Sequence, residues 1–183
     1  MTGVMSLYTH EGQRKYLTAG ERQRFIEVVD RQERQVRLFC QVLLFTGCRI
    51  SEALALRGEH LSLEEGVIVI HSLKKRRSGV MRRVPVPAPL LGELARLVSG
   101  ERLFPWGRTR AWQTVKHVMS EAGIAEPQAM PKVLRHTFGV HAIRSGVPVH
   151  LVQRWLGHAR LSTTAIYLDV IGEEEREMAR KMW

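Results

Sequence analysis

The sequence predicts a mainly helical domain with one small antiparallel β-sheet, an α+β fold. One stretch is typical of strands: the β-branched run VIVI (67–70) and the run VMRRVPVP (80–87), which a basic turn separates. Elsewhere apolar residues recur at helical spacing, and glycine, proline or small polar residues mark the helix ends. The 183 residues are enough for a single domain with a buried core.

Three helices are expected before the strands. Thr18 and Glu21 have the spacing of a capping box, so the first helix should begin directly after Thr18. The apolar run VRLFCQVLLF (36–45) predicts a second, buried helix that ends near Gly47. Ser51 is expected to cap a short third helix that contains EALAL.

Further helices are expected after the strands. The patterns that predict them cover residues 89–98, 109–122, 132–144 and 149–156. Gly146 should end the third of these helices, and Pro148 fits the first position of the fourth. Ser162 or Thr163 can cap a short final helix that carries Tyr167.

The chain is strongly basic, with 28 Lys and Arg against 18 Asp and Glu and a formal net charge of +10. This charge favours a polyanionic partner, above all DNA or RNA. No apolar run approaches the ~20 residues that cross a bilayer, and the N-terminal sequence lacks an apolar signal core. Cys40 and Cys48 form neither a metal-type pair nor a disulfide framework. We therefore expect a cytoplasmic protein that is associated with the nucleoid when it binds DNA.

Four motifs follow one another along the chain. They are TGCRISEAL with Arg49, the basic turn LKKRRSG, PKVLRHTF with Lys132 and Arg135, and LGHARLSTTAIY with His158 and Tyr167. In this order they resemble the catalytic domain of the tyrosine recombinases, the phage integrase family, over about residues 17–170. The resemblance implies site-specific cleavage and rejoining of DNA through a 3′-phosphotyrosyl intermediate, without a metal ion or another cofactor.

The chemistry of phosphodiester cleavage gives these residues roles. A tyrosine hydroxyl is a poor nucleophile at neutral pH, so Tyr167 needs a site that activates it. A phosphodiester under attack gathers negative charge, which fixed guanidinium groups stabilise with paired donors. Arg49 and Arg135 are expected to form this clamp, and His158 to hydrogen-bond a non-bridging oxygen. Glu52, three residues after Arg49, is expected to orient the Arg49 guanidinium.

The leaving 5′-oxygen needs a proton, which a lysine in the basic turn could donate. Lys74, at the end of the strand, is the preferred candidate, and Lys75 is the alternative. The neighbouring cations are expected to attract the DNA backbone; they are Lys75, Arg76, Arg77, Arg82 and Arg83.

Lys132 stands where the family usually has a histidine. Residues i and i+3 of a helix share a face, so Lys132 and Arg135 can converge on one phosphate. Lysine is an accepted variant at this position, but it is a poorer proton acceptor than histidine near neutral pH. The group that accepts the proton of Tyr167 is therefore left open. His136 is expected to pack or to orient its helix.

We expect three parts in the chain: a loosely ordered segment (1–17), the catalytic domain (18–172) and a helical tail (173–183). The tail could dock on its own domain or be exchanged with a neighbouring protomer. The family usually carries a further helical domain before the catalytic one, so the chain either resembles the short members of the family or is a piece of a longer protein. Expected partners are double-stranded DNA, further copies in a tetramer on DNA, and an accessory DNA-binding protein or partner recombinase.

Two other functions fit part of this pattern. The first is a DNA-binding regulator without catalysis, which the lysine at position 132 and the missing N-terminal domain would allow. The second is a type IB topoisomerase-like enzyme, which uses the same chemistry to relax DNA. Both predict DNA binding, and they differ in whether a covalent adduct forms and whether two DNA sites are joined.

Overall fold

The computed structural model describes residues 6–73, 80–97, 101–168 and 179–182 of the chain. The helices are α1 (Ala19–Asp30), α2 (Arg34–Thr46), α3 (Ile50–Leu54), α4 (Ala88–Ala95), α5 (Arg108–Glu121), α6 (Pro131–Arg144), α7 (Val149–Leu156) and α8 (Ser162–Ala165). The strands are β1 (Leu61–Ser62), β2 (Val67–His71) and β3 (Met81–Pro85). Single 3₁₀ turns cover Gly58–His60, Ile166–Leu168 and Arg180–Met182. The predicted fold class is confirmed. None of the helices in these residues is long and apolar enough to cross a membrane.

The sheet has one strand more than the sequence predicts. Its order is β1-β2-β3, and both pairs of neighbours are antiparallel. β1 has two residues, which is too short for a periodic pattern. Along β3, Arg82 and Val84 are buried, whereas Met81, Arg83 and Pro85 are exposed. This alternation follows from the two-residue period of a strand.

Helix α2 lies in the centre of the larger apolar core. Seven of its 13 residues are buried, and it packs against α1, α4 and α6. The ring of Phe39 makes edge contacts with Phe104 and Trp106, at centroid distances of 5.0 and 5.2 Å. Because α2 leads directly into α3 and packs on α6, it sets the relative positions of the helices that carry Arg49 and Arg135.

Two stretches of the segment expected to be loosely ordered (1–17) pack against the domain, whereas residues 10–13 are exposed and residues 1–5 lie outside the described part of the chain. The expectation for the segment as a whole stays a prediction. Leu7 and Tyr16 are buried, and they belong to a second apolar cluster that also contains Tyr167. The sequence pattern missed this packing because the apolar residues of the segment have no regular spacing. Their burial depends on partners far along the chain, and the segment helps to enclose Tyr167.

The capping box at Thr18 is present, but two other predicted caps are wrong. α3 begins one residue before Ser51, and the side chain of Glu52 caps it by accepting a hydrogen bond from the Arg49 amide at 2.8 Å. α8 begins at Ser162 itself, without a side-chain cap. At α3, a carboxylate three residues into the helix satisfies the free amide, so a hydroxyl at Ser51 is not needed.

Candidate active site

A cavity of about 850 Å³ opens beside the starts of α3, α5 and α6 and the loop after α7. The basic and imidazole side chains that line it are Arg49, Arg108, Lys132, Arg135, His136 and His158. Four of the six predicted catalytic residues are among them, although they are spread over more than a hundred positions of the chain. A wall with this many cationic and N–H groups suits a phosphate.

Arg49 is held at the start of α3 by Glu52. The carboxylate of Glu52 accepts hydrogen bonds from the backbone amide of Arg49 and from its Nη1 atom, both at 2.8 Å. The side chain of Arg49 remains 30% exposed and lines the cavity. The predicted contact is therefore present, and one carboxylate holds both the backbone and the guanidinium of Arg49.

Arg82 does not reach the surface, which corrects the expectation that it contacts DNA. Arg82 is 5% exposed and Glu52 is 2% exposed. Nη2 of Arg82 lies 2.6 Å from Oε2 of Glu52, and its Nε donates to the Trp155 carbonyl at 2.7 Å. Burial raises the pKa of Glu52, but the hydrogen bonds and charges of Arg82 and Arg49 outweigh it, so the pKa is lowered.

This network was missing from the sequence prediction, although a signal for it exists. The alternation in MRRVP places the first arginine and the valine on one face of β3, and the valine belongs in the core. An arginine on a buried face needs a charged partner. Glu52 is that partner, so one buried carboxylate joins Arg49 to β3, and Arg82 joins β3 to the end of α7.

The other predicted cations of the hairpin differ in position. Arg83 lies on the exposed face of β3 and forms an ion pair with Glu65. Four residues lie outside the described part of the chain: Lys74, Lys75, Arg76 and Arg77. Ser72 lines the cavity, so the chain reaches its edge two residues before Lys74.

Arg135 is buried in α6 and hydrogen-bonded to the ends of two other helices, α2 and α7. Its Nη1 donates to the Gly47 carbonyl at 2.7 Å, and its Nη2 donates to the Leu156 carbonyl at 2.6 Å. These carbonyls lie two residues before Arg49 and two residues before His158, so one side chain positions both. Burial and the charge of Arg49 lower the pKa of Arg135 to about 10, and the guanidinium stays charged at neutral pH.

His158 follows the end of α7, where Gly157 has a φ of 66° that favours glycine. Its Nδ1 lies 2.9 Å from the Thr164 hydroxyl. Burial and the charges of Arg135 and Arg49 lower the pKa of His158 to about 3. The ring is therefore neutral at pH 7 and can donate one hydrogen bond to a phosphate oxygen.

Three further lining residues come from α5 and α6. Lys132 is exposed on α6, three residues before Arg135, and both line the cavity as their spacing predicts. Arg108 and Trp112, from the first turns of α5, were not predicted. In the sequence they belong to an ordinary helical pattern, and only the packing of α5 against α3 and α6 brings them to the cavity.

Tyr167 occupies a withdrawn position, by which we mean that its ring is buried against α6. It is 1% exposed, and a Cβ atom at Gly139 would lie 2.5 Å from the Cζ atom of its ring. Its hydroxyl oxygen lies 3.3 Å from Nδ1 of His136. Burial raises the pKa of Tyr167 to about 12, and the charge of Arg135 offsets only part of this effect. Tyr167 does not line the cavity, so its hydroxyl reaches a molecule bound there only if the ring moves.

His136 connects Tyr167 with the cavity, because it contacts the tyrosine hydroxyl and also lines the cavity. Burial and the charges of Arg135, Lys15 and Lys132 lower the pKa of His136 to about 4, so its ring is neutral at pH 7. The sequence predicts only a packing role for it. No local pattern shows that a tyrosine 31 positions later comes within reach.

Comparison with known proteins shows which protein family the chain belongs to. Residues 15–174 match the model of the Phage integrase family, which is most of the chain. The chain belongs to the phage integrase family. The predicted resemblance is thereby confirmed. This family member is 31% identical over 184 residues to the tyrosine recombinase XerA of Pyrococcus furiosus, and 33% identical over 155 residues to the tyrosine recombinase XerD of Vibrio cholerae.

The match to XerA covers 91% of this integrase-family chain and 61% of XerA. The match to XerD covers 75% of this chain and 50% of XerD. The chain therefore spans about three fifths of the length of the first curated relative. Among solved structures, that of XerA superposes with a TM-score of 0.76 at 27% identity. The superposed region covers 91% of this chain and 62% of XerA. The catalytic domain of bacteriophage HP1 integrase has a TM-score of 0.69 at 23% identity, with 91% and 93% covered. XerH bound to its difH substrate has a TM-score of 0.75 at 23% identity, with 96% and 59% covered. These likenesses establish the fold.

Proposed function

We propose that this chain cleaves and rejoins DNA at specific sites through a covalent bond between Tyr167 and a DNA 3′-phosphate. The observation that carries the proposal is the convergence of Arg49, Lys132, Arg135 and His158 on one cavity beside that tyrosine. Double-stranded DNA is the proposed substrate. The relatives named tyrosine recombinase and the XerH complex with difH support it, as does the net charge of +10.

The first task of the site is to stabilise charge on the attacked phosphate. A guanidinium has five N–H groups, and the bonds of Arg135 to two carbonyls use two of them. Its plane is thus fixed before substrate arrives, which is the condition for efficient electrostatic stabilisation. Arg49 is fixed in the same way by Glu52, and Glu52 in turn by Arg82. Loss of one such donor costs ~10²–10³ in rate.

The second task is the transfer of the phosphate. The hydroxyl oxygen of Tyr167 attacks phosphorus, and the bond from phosphorus to the 5′-oxygen breaks. We propose that Lys74, or Lys75 in its place, gives the leaving oxygen its proton. The position of Ser72 at the cavity supports this assignment, because the chain enters the basic turn from the cavity edge.

Exchange between two DNA sites needs four cuts, and each chain supplies one Tyr167. We therefore propose a tetramer on DNA, in which the tail (173–183) contacts a neighbouring protomer. A further DNA-binding protein or a partner recombinase would add phosphate contacts to those of the domain formed by residues 18–172. Affinity for DNA then falls steeply with added salt, because it rests on Lys and Arg contacts.

Covalent capture tests the proposal without knowledge of the DNA site. The full chain is incubated with a pool of duplexes that have a randomised core and one nick, so that the short piece that carries the free 5′-hydroxyl diffuses away after cleavage. Denatured protein with linked DNA is recovered and sequenced over several rounds. Tyr167→Phe should yield no adduct, whereas Tyr16→Phe, which removes another buried hydroxyl, should yield adducts normally.

The outcomes separate the three functions. Adducts with the Tyr167→Phe variant would exclude Tyr167 as the nucleophile. Sequence-specific binding without any adduct would show a DNA-binding regulator. Adducts together with relaxation of a single supercoiled plasmid, but without joining of two captured sites, would show a topoisomerase-like enzyme.

A further inference from the structure

We propose that His136 accepts the proton of Tyr167 when the tyrosine attacks DNA. This inference rests on the proposed function, because it requires Tyr167 to be the nucleophile. It identifies the group that accepts this proton, which the sequence motifs alone did not decide. His136 would be a catalytic residue, since its ring touches the reacting oxygen atom.

The geometry places one nitrogen of His136 at the hydroxyl. Nδ1 lies 3.3 Å from the Tyr167 oxygen, and the two rings are tilted by 57° at a centroid distance of 6.0 Å. Hydrogen bonds of a general base are often long without substrate and shorten when it binds. His136 also lines the cavity, so its ring stays beside the path by which the hydroxyl approaches a bound phosphate.

The other groups near the hydroxyl are poorer acceptors. Lys132 and Arg135, in their charged forms, have donors and no acceptor. The ring of His158 is nearly parallel to that of Tyr167, with 15° between the planes, and its Nδ1 is engaged by Thr164. Among the described residues, His136 is the neutral base whose nitrogen contacts the tyrosine oxygen.

Burial and the charges around His136 keep its ring neutral before substrate binds. The titratable groups that face it are Arg135 and Lys132 on α6, Lys15 in the N-terminal segment, His158 after α7, and Tyr167. Three of these are cations, which oppose a further positive charge on the imidazole. A bound phosphodiester brings negative charge next to the same cations. It offsets their repulsion, so the ring becomes a better proton acceptor when the substrate is in place.

The proton of the Tyr167 hydroxyl passes to Nδ1 of His136, and the oxygen forms a bond to phosphorus. The bond to the 5′-oxygen breaks, and that oxygen takes a proton from the lysine of the basic turn. His136 is left as an imidazolium. In the rejoining step the 5′-hydroxyl attacks phosphorus and gives its proton to the neutral lysine. The bond from phosphorus to the Tyr167 oxygen breaks, and His136 returns its proton to that oxygen.

Two substitutions at position 136 separate proton transfer from simple positioning of the tyrosine. His136→Asn keeps an oxygen that can accept the tyrosine hydrogen bond, but an amide does not take up a proton. His136→Ala removes both properties. His141→Asn on the same helix is the matched control, because His141 is exposed. Cleavage is measured in single turnover on a duplex captured by the wild-type chain.

We expect both variants at position 136 to cleave about 100-fold more slowly or worse, in line with the ~10²–10⁴ that general bases contribute. Their affinity for the same duplex should stay within about twofold of wild type, and His141→Asn should match wild type in both. Added imidazole should restore part of the rate of His136→Ala, increasingly at higher pH, because only the neutral form of imidazole accepts a proton.

A second substrate identifies which proton transfer is affected. A duplex with sulfur in place of the bridging 5′-oxygen has a leaving group that needs no proton. It should rescue variants of the basic turn at Lys74 or Lys75, but it should leave His136→Asn slow. Rescue of His136→Asn by this duplex would overturn the inference.

Two further results would also overturn it. Wild-type rates in His136→Asn would show that no proton goes to His136. Faster cleavage in His136→Ala would show that the contact only keeps Tyr167 withdrawn. If the wild-type chain forms no adduct at all, the proposed function fails instead, so the two failures are distinguishable.

Discussion

Replacing Gly139 by alanine should drive Tyr167 out of its withdrawn position. A Cβ atom at Gly139 would lie 2.5 Å from Cζ of the tyrosine ring and 2.6 Å from Cε1 and Cε2. Ordinary carbon contacts are ~3.5–4.0 Å, so the ring has to move by about 1 Å. Its contact with His136, already 3.3 Å long, cannot survive such a shift unchanged.

The magnitude follows from the overlap. Overpacking a buried site costs about 1–3 kcal/mol, and alanine in place of glycine in a helix recovers about 0.5–1 kcal/mol. Overpacking destabilises only the state in which the ring is withdrawn against α6. The stabilisation of the helix by alanine is the same for the withdrawn and the displaced ring. Each ~1.4 kcal/mol changes the ratio of withdrawn to displaced rings tenfold. We therefore expect Tyr167 to become about 5- to 150-fold more accessible, with a small change in overall stability.

Nitration by tetranitromethane, followed by mass spectrometry of peptides, measures this accessibility. Tyr16 is also buried and serves as the internal reference. Gly92→Ala is the matched control, because Gly92 lies in α4 and nothing is within 4 Å of a Cβ built there. This control should only stabilise the fold. Equal nitration of Tyr167 in Gly139→Ala and Gly92→Ala would refute the packing of the ring on α6.

Two further predictions concern stability. Arg82→Met leaves the buried carboxylate of Glu52 with one partner, so it should lower the free energy of unfolding in urea by about 3–5 kcal/mol. Arg83→Met removes only an exposed ion pair and should lower it by less than about 1 kcal/mol. Equal losses in the two variants would contradict the buried network. In the folded protein the pKa of His136 is about 4 and that of His158 is about 3, both below the ordinary ~6.5 of histidine. Between these folded pKa values and pH ~6.5, the unfolded chain therefore binds more protons than the folded one. Stability should be full above pH ~6.5 and decline as pH falls towards 3, and His158→Gln should make the decline shallower; a pH-independent free energy of unfolding would contradict this.

Local patterns were sufficient for most of the fold. Helical spacing and helix ends depend on neighbouring residues, and the seven helices predicted between residues 19 and 156 agree with the structure to within about a turn. The predicted helical tail (173–183) lies mostly outside the described residues. β1 and the burial of Leu7 and Tyr16 were missed because both depend on distant partners. The caps at Ser51 and Ser162 were wrong because a hydroxyl near a helix start does not show which residue begins the helix.

The site divides in the same way. The order of the motifs was enough to predict that Arg49, Lys132, Arg135 and His158 meet, and the structure brings them to one cavity. It was not enough for Arg82, because a run of basic residues looks the same whether a member faces DNA or a buried carboxylate. The assignment of the catalytic lysine to the basic turn stays a prediction.

By itself, the sequence determined the family, the α+β fold and the set of residues that can handle a phosphate, because these follow from spacing along the chain. Only the tertiary structure decided how those residues are poised. It buried the Tyr167 ring on Gly139, placed His136 at its hydroxyl and joined Arg82 to Glu52. Each of these contacts joins residues about 30 positions apart, and close packing in the interior, rather than local pattern, sets which of them meet.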